Sequence, residues 1–270
     1  MGAGIAHSFL MAGSDVTVIE STEVWADAAR GRVSDSIRAS IERGAEVLES
    51  TLHDRFRVSL DPGGLGDRDL VVEAIPEQLD MKVEALRAVE SVVGTRAWLT
   101  SNTSSLSIDS IAGRLDRPGR FGGLHFFNPV PASRLVEIVV GESTDASYAT
   151  EASEWIAALG KTSIVVRDSP GFASSRLGLA IALEAMRMVD EGVASPADID
   201  AAMELGYRHP TGPLRTSDIV GLDVRLAIAE SLAQSLGPRF EPPDILRRLV
   251  SEGALGRKTG RGFFDYGETS

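Results

Sequence analysis

Cysteine is absent from the 270 residues, so neither a disulfide framework nor thiol catalysis is available. Basic charge is scarce. Lysine and arginine number 27 against 39 aspartates and glutamates, giving a formal charge of -12 and a pI near 4.9. A general nucleic-acid binder carries a basic face, so that class is set aside; a local basic patch can still hold an anionic ligand. Long apolar runs are missing too. The longest are strand-sized, short of a membrane span, and no basic-then-apolar leader opens the chain. A soluble, cytoplasmic protein is expected. Internal repeats and low-complexity segments are not evident. Histidine occurs four times, at His7, His53, His125 and His209, which leaves few candidates for an imidazole base. What is plentiful is ordinary: 43% hydrophobic and 24% charged residues, ample core for one large or two modest domains.

The chain opens with Met1-Gly2-Ala3-Gly4 and a helical pattern through Ile5, Phe9 and Leu10, ended by Gly13. Asp15 to Glu20 is an apolar run closing on a carboxylate. Glycines at a helix start, a strand, and an acid just past it form the back two-thirds of a dinucleotide fingerprint. The front third, an apolar strand with its leading Gly-x-Gly, does not precede Met1. The expectation is a start site inside the motif, with weak NAD binding if the mature chain begins there. Read locally, Gly2 and Gly4 fit a flexible end equally well, and Glu20 a solvated strand end. Residues 21–50 read as helix, with Trp25, Val33, Ile37 and Ile41 on one side. Asp69–Ile75 is a strand with one polar interruption, Gln78–Val93 an amphipathic helix, and Ala97–Thr100 a strand. Phe121–Phe127, Leu135–Val140 and Thr162–Arg167 are further strands, separated by helices at Ser107–Leu115 and Tyr148–Leu159. Alternation of strand and helix to about residue 168 predicts an α/β, mainly parallel, Rossmann-like domain. From 169 the strand signal stops. Helical patterns at Phe172–Asp190, Ile219–Ser235 and Pro243–Glu252, and a helix start at Ser195-Pro196, predict an all-helical second domain over 169–270.

The densest chemistry lies between Ser101 and Glu137: Asn102 and Ser104 after one strand, His125 and Asn128 at the end of the next, Glu137 in a third. Polar groups at the ends of buried strands are how an α/β protein presents a site. His125 fits either a base or a hydrogen-bonded core histidine, and Glu137 either its partner or a strand-end charge. Ser104 fits a loop hydroxyl satisfying backbone, and Asn128 before proline a turn former.

Eight strings occur in order: Ser101-Asn-Thr-Ser-Ser-Leu106, His125-Phe-Phe-Asn-Pro-Val-Pro131, Leu135-Val-Glu137, Pro170-Gly-Phe172, Glu191-Gly-Val-Ala-Ser-Pro196, His209-Pro210 with Gly212-Pro213, Gly221-Leu-Asp223, and Leu255-Gly-Arg-Lys-Thr-Gly-Arg-Gly-Phe263. Together they resemble the 3-hydroxyacyl-CoA dehydrogenase family in its short 3-hydroxybutyryl-CoA form, across essentially the whole chain. The resemblance implies a Rossmann-like domain followed by a helical domain that makes a homodimer contact. It implies NAD-dependent interconversion of (3S)-3-hydroxyacyl-CoA with 3-oxoacyl-CoA, without nucleic-acid or membrane partners and without a metal. It gives His125 the catalytic base, Glu137 the carboxylate behind it, Ser104 a hydrogen bond to the reacting oxygen, and Asn128 a place near the nicotinamide. Gly2, Gly4, Glu20, Glu77, Lys82, Asn102, Ser104, Asn128 and Lys258 become cofactor contacts, with Glu20 selecting NAD over NADP.

Two further departures from the family pattern carry expectations. Ser174-Ser175-Arg176 stands where the family has Asn-Arg, so Ser175 is expected to take a shorter active-site contact. The segment from Arg38 to Asp61 is shorter than the family's hairpin near the CoA phosphates, leaving Arg38 and Arg43 as replacements. These features keep alternatives open: the same chemistry on an acyl-carrier-protein or polar-tailed substrate, a non-catalytic dimeric binding protein, or another β-hydroxyacid dehydrogenase.

Overall fold

The computed structural model describes residues 1–267. The chain divides into two compact units, Met1–Ser169 and a second beginning at Pro170. In the first unit the order is α1 (Gly2–Met11), β1 (Val16–Ile19), α2 (Glu23–Glu42), α3 (Glu49–Asp54), β2 (Phe56–Ser59), β3 (Leu70–Glu73), α4 (Leu79–Glu90), β4 (Trp98–Ser101), α5 (Ile108–Ala112), β5 (Phe121–Phe126), β6 (Leu135–Val140), α6 (Tyr148–Ala158) and β7 (Thr162–Arg167).

The strands form two sheets. β1 and β2 pair in parallel, and β3–β4–β5–β6–β7 form a second sheet in which only β5 and β6 are antiparallel. β4 and β5 are buried throughout, as expected for strands covered on both faces. α1 ties the sheets together. Its Ile5 packs with Trp98, Leu124, Phe126 and Val136, while Ala6 and Leu10 pack with Val33 and Ile37 of α2.

The continuous helix expected over residues 21–50 ends at Glu42, and Gly44 follows with φ 93°, a conformation glycine adopts without a Cβ penalty. α3 and the unpredicted strand β2 come after it. Thr22 caps α2 by accepting from Trp25 N–H. The buried stripe is Ala26, Ala29, Val33 and Ile37, and Trp25 is 54% exposed. A 3.6-residue period through those four positions points Trp25 outward.

Tight packing explains one glycine in β5. A Cβ on Gly122 would lie 2.3 Å from the Tyr148 ring. Tyr148 is fully buried, donates to Gly123 O at 2.9 Å, and stacks on Trp98 at 4.8 Å. Gly122→Ala is expected to lower unfolding free energy by about 3 kcal/mol through overpacking, read as a lower urea midpoint.

Among the described residues the second unit is helical: α7 (Ser174–Asp190), α8 (Pro196–Tyr207), α9 (Pro213–Val220), α10 (Leu222–Leu236) and α11 (Asp244–Ser251). Ser195 accepts from Asp198 N–H at the start of α8. The helix expected over Ile219–Ser235 is two helices, broken at Gly221 with φ 104°. Two buried aspartates explain the glycine-bearing strings here. Asp200 accepts from Leu214 and Arg215 N–H at the start of α9. Asp218 accepts from Phe263 and Phe264 N–H and Tyr266 Oη, and a Cβ on Gly262 would meet its Oδ1 at 2.1 Å. α7 buries Leu179, Ala182, Leu183, Ala185 and Met186. Leu177 and Ile181, apolar by type, are 65% and 37% exposed, because the buried stripe runs along a different face of the helix.

Candidate active site

β3, β4 and β5 run parallel, with Glu73 opposite Ser101 and Ser101 opposite Gly123. Their C-terminal ends therefore share one edge of the sheet, where α/β proteins bind ligands. β6 returns antiparallel and sets Glu137 directly across from His125. His125 Nδ1 and Glu137 Oε2 are 2.7 Å apart. The carboxylate is fully enclosed and the imidazole nearly so, at 0% and 6% exposed. A buried carboxylate accepting from Nδ1–H holds the ring in the tautomer that leaves Nε2 unprotonated. The Phe127 ring lies 4.5 Å from the imidazole.

Asn102 Oδ1 accepts from Phe126 N–H at 2.8 Å, which joins the loop after β4 to the end of β5. Ser104 lies exposed on that loop. Its N–H and Oγ donate to Glu77 Oε1 at 2.8 and 3.3 Å. The same oxygen receives Thr103 Oγ1 at 2.6 Å, and both Ser105 N–H and Ser105 Oγ at 3.0 Å. Glu77 thus grips three consecutive residues. Desolvation pushes its carboxyl up, but the Thr103 hydroxyl, the Lys82 charge and the Ser104 N–H outweigh it and hold the group at about 2. A folded-state value below the unfolded 4.5 contributes stability that is complete above 4.5 and lost as pH falls through about 2. Glu77→Gln is expected to flatten the fall of the urea midpoint across that window.

Lys82, expected to touch the cofactor directly, is 1% exposed. Its ammonium donates to Glu73 Oε1 at 2.7 Å and Ile75 O at 3.1 Å, and pairs with Glu77 Oε2 at 3.2 Å. Through this pairing Lys82 ties Glu77 to Glu73 and to the turn after β3. Glu73 completes the cluster, accepting also from Ile75 N–H at 2.7 Å and Ser101 Oγ at 2.6 Å. Sequence reasoning missed Glu73, Ser101 and Thr103 as site residues. The signal was present: Glu73 is the polar interruption in an otherwise apolar strand.

Gly2 and Gly4 lie in the first turn of α1, and Glu20 follows β1 half-buried. Asn128 is exposed, just past β5 and before Pro129. Ser175 lies half-buried in the first turn of α7, and Lys258 Nζ pairs with Asp223 at 2.5 and 2.7 Å. These last two belong to the second unit.

The model of the 3-hydroxyacyl-CoA dehydrogenase NAD binding domain matches residues 1–169, and that of the family's C-terminal domain matches residues 171–266. The chain belongs to the 3-hydroxyacyl-CoA dehydrogenase family. This dehydrogenase is 40% identical over 268 residues to the probable 3-hydroxybutyryl-CoA dehydrogenase of Deinococcus radiodurans, covering 98% of this chain and 96% of that one. It is 36% identical over 277 residues to the human mitochondrial hydroxyacyl-coenzyme A dehydrogenase, covering 98% and 88%. Among solved structures, (S)-3-hydroxybutyryl-CoA dehydrogenase PaaH1 of Ralstonia eutropha superposes with a TM-score of 0.95 at 36% identity, covering 99% and 96%. The dehydrogenase is an oxidoreductase that uses NAD.

The residues present fit that cofactor. α1 carries no acid in its first turn, and a helix N-terminus offers free N–H groups and positive potential to a diphosphate. A Cβ on Gly4 would lie 3.0 Å from Val130 Cβ, so glycine lets the first turn approach the loop after β5 without crowding. Glu20, just past β1, is a carboxylate acceptor of the type that ribose hydroxyls take.

Proposed function

We propose that the dehydrogenase interconverts (3S)-3-hydroxyacyl-CoA and 3-oxoacyl-CoA, with His125 as the proton acceptor and donor. The buried His125–Glu137 pair at 2.7 Å carries the reading. Bound NAD would supply the hydride acceptor for C3. His125 Nε2 removes the hydroxyl proton, and Glu137 stabilises the imidazolium that results. Ser104 donates a hydrogen bond to the reacting oxygen, and Asn128 borders the nicotinamide. Gly2 and Gly4 on α1 would hold the diphosphate, and Glu20 would bind ribose hydroxyls and repel a 2′-phosphate. Glu77 contacts the cofactor side, with Lys82 behind it and Asn102 holding the two loops in register. For Ser175 as a substrate contact and Lys258 as a cofactor contact, the proposal rests on the resemblance alone.

Relatives named as acting on 3-hydroxybutyryl-CoA support a short acyl chain. Formation of NADH from 3-hydroxybutyryl-CoA tests the reading. Turnover on that substrate is expected; turnover only with the carrier-protein thioester, or no NAD binding by calorimetry, contradicts it.

The homodimer is part of the proposal. In the second unit Leu177 and Ile181 on α7, Ile219 and Val220 on α9, and Val224 on α10 stand exposed, on helices that pack against one another. Exposed apolar groups concentrated this way favour a subunit contact. Sedimentation velocity is expected to give a dimer, and Leu177→Glu to shift it to monomer. Among the described residues no helix is long and apolar enough to cross a membrane; a cytoplasmic location is likewise proposed.

A further inference from the structure

Glu73 is buried, its side chain 4% exposed, and nothing in the proton-transfer scheme above uses it. A carboxylate taken out of water at the end of a strand needs partners on both oxygens. Those partners lead along two routes to one place. Oε2 accepts from Ser101 Oγ at 2.6 Å, and Ser101 Oγ accepts from Thr103 N–H at 3.1 Å. Oε1 accepts from Lys82 Nζ at 2.7 Å; Lys82 pairs with Glu77 at 3.2 Å, and Glu77 receives Thr103, Ser104 and Ser105. Both routes end on the loop that presents the Ser104 hydroxyl. The turn from Glu73 to Glu77 is fixed at the same centre, since Ile75 N–H donates to Glu73 and Ile75 O accepts from Lys82.

We propose that Glu73 is a positioning residue for the Ser104 hydroxyl, acting through Ser101 on one side and through Lys82 and Glu77 on the other. Five donors converge on a single Glu77 oxygen, more than its lone pairs can serve well at once. The Ser104 hydroxyl is the longest of them at 3.3 Å. It is therefore the donor most readily turned to the reacting oxygen, while its own N–H keeps the backbone in place. Loss of the Glu73 charge frees Lys82 to draw fully on Glu77, and the grip on the loop loosens. Small misplacements of an orienting group cost rate out of proportion to binding.

This inference rests on the proposed role of Ser104, and a double-mutant cycle separates the two. Glu73→Gln keeps the shape and removes the charge; Ser104→Ala removes the hydroxyl. Turnover is measured as kcat at saturating NAD and 3-hydroxybutyryl-CoA, normalised to active protein. Ser104→Ala alone is expected to lower kcat; if it does not, the role given to Ser104 fails, and the inference with it. Given that loss, Glu73→Gln is expected to lower kcat about tenfold in the wild-type background and less than about twofold when Ser104 is already alanine. Full, additive loss in both backgrounds overturns the inference, because a merely structural defect does not depend on the Ser104 hydroxyl. Ser101→Ala provides the same cycle without touching a charge, should Glu73→Gln fold poorly. It too is expected to lower kcat only while Ser104 is present, and an additive loss there also overturns the inference.

Discussion

His125→Gln is expected to lower kcat for 3-hydroxybutyryl-CoA oxidation by about a thousandfold, the range of a lost general base. Stability should change little. The imidazole contributes modest core volume, and glutamine can still donate to Glu137 from its side-chain amide. NAD affinity by calorimetry should stay close to wild type, since His125 itself is not among the cofactor contacts proposed above. A variant that binds NAD and the acyl-CoA normally yet barely turns over places the defect in the chemical step. A parallel loss of binding would move His125 from proton transfer to architecture.

Lys82→Met is expected to lower unfolding free energy by about 3 kcal/mol, because it leaves the enclosed Glu73 carboxylate without its counter-ion. Lys82 is 1% exposed and touches Glu73, Glu77 and Ile75 O. Water cannot replace the ammonium there without opening the turn after β3. Removing both charges, as Lys82→Met with Glu73→Gln, should recover part of the loss. Urea titrations check this: the midpoint falls in the single variant and partly returns in the double, with the slope against denaturant unchanged. If the double variant were the less stable of the two, the pair would not be the source of the effect.

Much of this was legible from the chain itself. Val136, Ile138 and Val139 on β6 and Phe121, Leu124 and Phe126 on β5 announced strands, while the shared rung of His125 and Glu137 came only with their antiparallel pairing. Local chemistry announced caps such as Ser195. What escaped was settled by distant packing. β2 is four residues long and only partly buried, so its pattern is too brief to stand out from the polar segment around it. Trp25 and Leu177 look like core by type, yet the register of the other apolar residues turns both outward. Asp200 and Asp218 read as ordinary surface acids on helices. They are buried because backbone N–H groups fourteen or more positions away need acceptors. Lys82 is the instructive case: only the fold reveals that it pairs with a carboxylate from its own preceding strand.

The most direct test of the account follows the hydrogen on C3. The dehydrogenase is incubated with NAD and (3S)-3-hydroxybutyryl-CoA bearing deuterium at C3, and the nicotinamide product is weighed by mass spectrometry. The account predicts NADH carrying one deuterium together with acetoacetyl-CoA, and negligible label transfer by His125→Gln over the same interval. Unlabelled NADH, or ketone formed without NADH, would contradict it.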